Sequence, residues 1–88
     1  MEQISITLEQ IRLMKHAIGF SKDKVKRGKY EVYRNYYCAG KSVEEFEELV
    51  TMGLAVKDIR REQILYFITA KGIQLLAEFT EVKIAEME

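Results

Sequence analysis

The sequence predicts a single small α+β domain of three or four helices and one β-hairpin, and three observations lead there. At 88 residues the chain has room for only one core. Its 48% apolar and 32% charged composition is that of a folded globular protein rather than a disordered tail. Apolar residues recur at helical spacing in three places, each introduced by a Thr or Ser, and two β-rich runs lie between the second and third. The domain is expected to cover residues 1–88 without a boundary, since the chain has no proline, no internal repeat and no low-complexity segment beyond one basic stretch.

The first helix is expected over 8–18. Thr7 followed by Gln10 forms a capping box, and Ile6 with Ile11 can staple the entry. Leu8, Ile11, Met14 (or the stem of Lys15) and Ile18 repeat near the helical period, Gly19 ends the run, and Glu9, Arg12 and His16 share the solvent face. Residues 21–29 hold five cations and one apolar residue, the pattern of a mobile or solvated connection. From Tyr30 to Ala39 the chain supports two readings. Tyr30, Tyr33 and Tyr37 suit a helix, whereas Tyr30, Val32 and Tyr36 suit a strand; a short helix over 30–39, broken by Gly40, is the expectation.

A second helix over 43–52 follows from a Ser42/Glu45 capping box, the stripe Val43, Phe46, Leu49, Val50, and Gly53 in the left-handed position after it. Leu54 then meets Leu49, and Glu44, Glu45, Glu47 and Glu48 occupy the solvent side. Residues 54–58 and 64–68 form a hairpin around a tip at 59–63. Thr69 caps a last helix over 70–86, stapled by Ile68 and Ile73. Its apolar residues Ile73, Leu75, Leu76, Phe79, Val82 and Ile84 cover more than one face, from which a homodimer through the C-terminal helix is expected. The expected core is Ile11, Met14, Ile18, Phe46, Leu49, Val50, Leu54, Val56, Phe67, Ile73, Leu76 and Phe79.

Formal charge is zero but segregated: residues 12–41 hold nine Lys/Arg against Asp23 and Glu31, for +7, and residues 42–88 hold five against ten acids, for −5. The basic stretch either attracts phosphate or an acidic partner, or faces the acidic half of its own chain. Lys24, Lys26, Arg27, Lys29 and Arg34, with Arg60 and Arg61 at the hairpin tip, are the candidate nucleic-acid contacts, because flexible cations suffice to displace counterions from phosphate. Tyr30, Tyr33, Tyr36 and Tyr37 either pack inward or stack on bases or a partner.

Catalysis is not expected. The five glycines are isolated, so there is no phosphate-cradling loop, and no nucleophile elbow or metal motif is present. With His16 the only histidine and Cys38 the only cysteine, neither a zinc site nor a thiol–imidazole pair can be assembled. His16 is expected on the surface and Cys38 as a small buried hydrophobe. No cofactor is expected. No apolar run approaches a membrane span, and Glu2 stands where a signal peptide would be basic, so a cytoplasmic location without membrane contact is the expectation.

Residues 46–55, Phe-Glu-Glu-Leu-Val-Thr-Met-Gly-Leu-Ala, and residues 65–76, Leu-Tyr-Phe-Ile-Thr-Ala-Lys-Gly-Ile-Gln-Leu-Leu, resemble the wing half of MarR-like and PadR-like winged helix-turn-helix regulators. The whole chain is also similar to short uncharacterised winged-helix-like proteins of bacteriophages and prophages of Gram-positive bacteria. This resemblance implies a winged-helix-like α+β domain that binds double-stranded DNA, with the helix over 43–52 in the major groove. The sequence departs from that pattern where it matters, since four glutamates on this helix would meet phosphate and base edges. Two functions therefore stand side by side: a non-catalytic DNA-binding regulator using the basic segment and the wing, or a phage-type accessory factor that binds a protein.

Overall fold

The computed structural model describes residues 5–85, folded as α1 (Leu8–Ala17), a 3-10 turn (Lys22–Lys24), β1 (Lys29–Glu31), β2 (Tyr37–Ala39), α2 (Glu44–Thr51), β3 (Ala55–Arg60), β4 (Gln63–Ile68), α3 (Ala70–Thr80) and β5 (Lys83–Ala85). β2, β4 and β3 form an antiparallel sheet in that order, and β1 pairs with β5 in parallel. The domain is α+β, and among the described residues no helix is long and apolar enough to cross a membrane.

The first helix follows its sequence signals. Gln10 Nα donates to Thr7 Oγ1 at 3.1 Å and Thr7 Nα to Gln10 Oε1 at 2.9 Å, completing the capping box, and Gly19 turns left-handed at φ 69° just past the C-cap. Gln10 itself is buried, and its amide also donates to Glu48 Oε2 at 2.9 Å and to the Glu45 carbonyl, tying α1 to α2.

The basic connection is solvent-exposed, in keeping with a solvated connection, and it carries local structure beyond the sequence expectation. Ser21 caps the 3-10 turn, and Lys26 and Lys29 exchange backbone hydrogen bonds around Arg27 and Gly28, whose φ values of 55° and 73° make a tight two-residue turn. The helix expected over 30–39 is two short strands instead. Tyr30 and Val32 point inward with a period of two, because β1 finds its partner in β5, with Tyr30 opposite Ile84, and β2 finds its partner in β4. An ambiguous local pattern was decided by partners about fifty and thirty residues away along the chain.

The Ser42/Glu45 box does not form. Val43 is the N-cap of α2 without a side-chain bond, and its N–H donates to Tyr66 Oη at 3.1 Å, so a tyrosine from β4 does the anchoring. Gly53 takes the expected left-handed conformation at φ 78° and Leu54 is buried. The hairpin is present with a shorter tip than expected: Arg60 pairs with Gln63 across a two-residue turn in which Arg61 and Glu62 both have positive φ, the form that matches strand twist.

α3 stops at Thr80, six residues before the expected end, where Glu81 turns left-handed (φ 57°) and the chain enters β5. Val82 and Ile84 thus leave the helix and pack against the core, as Leu75 also does, which narrows the surplus apolar face behind the homodimer expectation to Phe79.

Of the expected core, Met14, Ile18, Phe46, Leu49, Leu54, Ile73 and Leu76 are buried, and Ile11 and Val50 pack against them half-buried. Val56 and Phe79 are half exposed, contrary to expectation, and Phe67 is half-buried outside the core cluster. The register explains the strand residues: Ala55, Tyr66 and Ile68 face the core, so Val56 and Phe67, paired with each other, face away. The inward line of α3 runs through Ile73, Leu76 and Thr80, which leaves Phe79 on its flank. Tyr30 and Tyr66 are the large core members missing from the expected set, and the Tyr66 ring stacks on Phe46 at 4.6 Å.

Phe46→Ala, which empties that stack, is expected to cost about 3–5 kcal/mol in denaturant unfolding. Gly72→Ala should lower the melting temperature as well, although alanine gains about 1 kcal/mol over glycine in a free helix. A Cβ there would run into the Leu54 carbonyl oxygen and Ile68 Cγ2.

Candidate nucleic-acid interface

The tight turn at Arg27 and Gly28 and the 3-10 turn before it hold the basic segment in one place. Lys24, Lys26 and Lys29 line a cleft of ≈ 470 Å³ together with Asp23, Glu31 and Tyr33. Lys24 Nζ donates to Tyr33 Oη at 2.7 Å, and this hydrogen bond lowers the Tyr33 phenol below its ordinary pKa. Arg27 is exposed on the left-handed turn, and Lys29 lies 3.9 Å from Glu31. Arg34 donates from Nη2 to the His16 carbonyl at 2.9 Å, while its buried Nε has no hydrogen bond among the described residues. Its guanidinium stands 5.8 Å from the Tyr33 ring centre, so the phenol lies between two cations.

Across Arg34 a second cleft of ≈ 300 Å³ is lined by His16, Tyr36, Tyr37 and Cys38. His16 is exposed, as expected, and meets the Tyr37 ring edge-on at 5.4 Å. Cys38 is exposed rather than buried, because strand alternation turns it away from the core side taken by Tyr37 and Ala39; its thiol donates to Gln63 Oε1 at 3.2 Å. Gln63 pairs with Arg60, so contacts run from Arg34 and Cys38 along β2 to the hairpin tip. There Arg60 is taken up by Asp58 at 2.7 Å, and Arg61 lies exposed in the turn without an ion pair among the described residues.

Among the described residues no ion pair joins the basic stretch to the acidic half, although their strands pair, β1 with β5 and β2 with β4. The ion pairs of the basic stretch among the described residues are local, Arg12 with Glu9 and Lys29 with Glu31, and the ion pairs of the acidic half are likewise its own, Lys57 with Glu47 and Arg60 with Asp58. Two of the four α2 glutamates are also drawn inward. Glu48 accepts from Gln10, and Glu47 accepts from Tyr66 Oη at 2.6 Å and from Lys57 at 3.0 Å.

Two residues escaped sequence reasoning. Asn35 donates to the Ile68 carbonyl and accepts from the Ile68 N–H, both at 2.8 Å, so its side chain continues the β2–β4 ladder by one pairing step. A polar residue amid tyrosines was the only local signal. Tyr66, the link to Glu47, was hidden by its position in an apolar run. Among the described residues no cluster of three or more His, Cys, Asp or Glu can hold a metal ion. Comparison of the chain with protein-family models, curated proteins and solved structures finds no match.

The Tyr66 hydroxyl, and after it Lys57, holds the Glu47 carboxyl below the usual carboxylate range, while burial and Glu47 push the Tyr66 phenol up. A carboxyl depressed in the folded state stabilises above its unfolded pKa, and that contribution is lost as pH falls through the folded value. The melting-temperature advantage of wild type over Glu47→Gln is therefore expected to be constant near neutrality and to shrink below about pH 4, as thermal melts across a pH series would show.

Proposed function

We propose that the chain is a non-catalytic DNA-binding module on a winged-helix-like scaffold, contacting phosphate through Lys24, Lys26, Arg27, Lys29 and Arg34, with Arg61, and Arg60 beside it, on the wing. One observation carries this reading. The cations of residues 22–29 sit on hydrogen-bonded turns and a short strand, and those that form ion pairs among the described residues do so only within their own segment, so a concentrated positive surface stays available to phosphate. The winged scaffold is supported by the sheet order β2-β4-β3, the hairpin and the helix before it.

Groove reading by α2 is not part of the proposal. Among the described residues a single helix lies between β2 and β3, where a helix-turn-helix needs two, and Glu44 on it is exposed. Phosphate contact accordingly falls to the basic segment and the wing. A protein-binding accessory role is the second reading, favoured by Val56 and Ile59, half exposed or more on β3.

Anisotropy titration of a labelled DNA should give binding that weakens on the order of tenfold to a hundredfold between about 50 and about 200 mM salt. Lys26→Ala with Arg27→Ala should weaken it across sequences and reduce the salt slope by about 1 per residue, with unchanged folding because both side chains are exposed. Absence of binding at the lower salt transfers the assignment to the protein-binding reading.

A further inference from the structure

Strand alternation divides the three-stranded sheet into a core face and an outer face. Tyr37, Ala39, Ala55, Tyr66 and Ile68 belong to the core side; Cys38, Val56, Leu65 and Phe67 belong to the other. Leu65 and Phe67 are half-buried yet lie outside the core cluster, and Val56 is 50% exposed.

Tyr36 extends this face. It lies between Asn35, whose side chain grips the Ile68 backbone, and Tyr37, which pairs with Tyr66, so its register position is beside Phe67 on the central strand. It shares the parity of Cys38 and is 51% exposed. Tyr33, equally exposed, stands one residue before Arg34 at the start of the same path.

We propose that this face is a stacking platform for unpaired DNA, with Tyr36 and Phe67 taking base faces and Arg34 and Arg61 taking phosphates at its two ends. The inference rests on the DNA-binding reading above and names the state of the strand. Charge and ring chemistry select the occupant together. Cations alone attract any polyanion, but rings open to solvent, Tyr36 half exposed and Phe67 less so, gain only from bases whose faces are free, and in a duplex those faces are already stacked on each other. Asp58, the acid on this face, is neutralised by Arg60 at 2.7 Å and does not oppose the strand. The surface presents rings and cations rather than a projecting basic helix, and α2, the helix before the hairpin, carries carboxylates.

The test is anisotropy with three labelled probes of equal length at one salt concentration: oligo(dT), oligo(rU) and a mixed-sequence duplex. Oligo(dT) should bind at least about tenfold more tightly than the duplex and no more weakly than oligo(rU). Tyr36→Ala should lower oligo(dT) affinity on the order of tenfold and leave duplex affinity unchanged, while Tyr36→Phe, which keeps the ring, should bind as wild type does. Phe67→Leu, retaining an apolar side chain over the sheet, serves as a second variant, and circular dichroism checks that each is folded. Equal affinity for single strand and duplex, insensitivity to Tyr36→Ala, or a tenfold preference for oligo(rU) overturns the platform while DNA binding stands. Failure of all three probes to bind overturns both.

Discussion

The Tyr66 side chain joins the sheet to the helix that precedes it, and most of the domain depends on that junction. Its ring stacks on Phe46 in the middle of the core, while its hydroxyl accepts the Val43 N–H and donates to Glu47. An eight-residue helix has little stability of its own, and this one lacks a side-chain cap. It is held from outside: by Tyr66 on β4, by Lys57 on β3, and by the buried Gln10 on α1. Glu47 and Glu48 thereby serve as attachment points for α2, so its acidic character is in part structural rather than a surface offered to a partner.

A second junction positions the basic segment. β1 is three residues long and would not persist alone, but it pairs with β5, and the Lys83 N–H and Ala85 carbonyl extend the pairing to Gly28 and Val32. Tyr30 closes it by burying its ring and donating to the Ile18 carbonyl at 2.7 Å, just past the end of α1. The lysine turn is consequently presented by a strand anchored along one edge by β5 and through its inward face by Tyr30. Holding cations on such a frame reduces the conformational entropy lost when they meet phosphate, compared with a flexible arm.

Charge segregation along the chain survives folding. Among the described residues the acidic half pairs Glu47 and Asp58 with its own Lys57 and Arg60, the basic half pairs only with near neighbours, and β2 links the basic segment to the hairpin tip through Cys38 and Gln63. A net charge of zero therefore says little about this molecule, because attraction to a polyanion depends on the local field within a screening length of about 8–10 Å.

Local chemistry determined the parts whose signals lie within a few residues. The Thr7/Gln10 box, the turns at Gly19 and Gly53, the start of α3 at Thr69 and the existence of the hairpin were all legible, because caps and tight turns are satisfied by neighbours in sequence. So were the buried Phe46, Leu49, Ile73 and Leu76, whose spacing alone marks an inward face. Tertiary structure decided the rest. Tyr30–Ala39 became strands because β5 and β4 offered unpaired backbone, α3 ended early because β5 was needed by β1, and Ser42 lost the cap of α2 to a tyrosine that no local rule connects to it. The basic residues of the candidate site were visible as composition, but the backbone turns that hold them and their alignment with Tyr33, Tyr36 and Phe67 were not. The alignment depends on strand register and on the Asn35 clamp, and register is a property of two segments together, which neither carries in its own sequence.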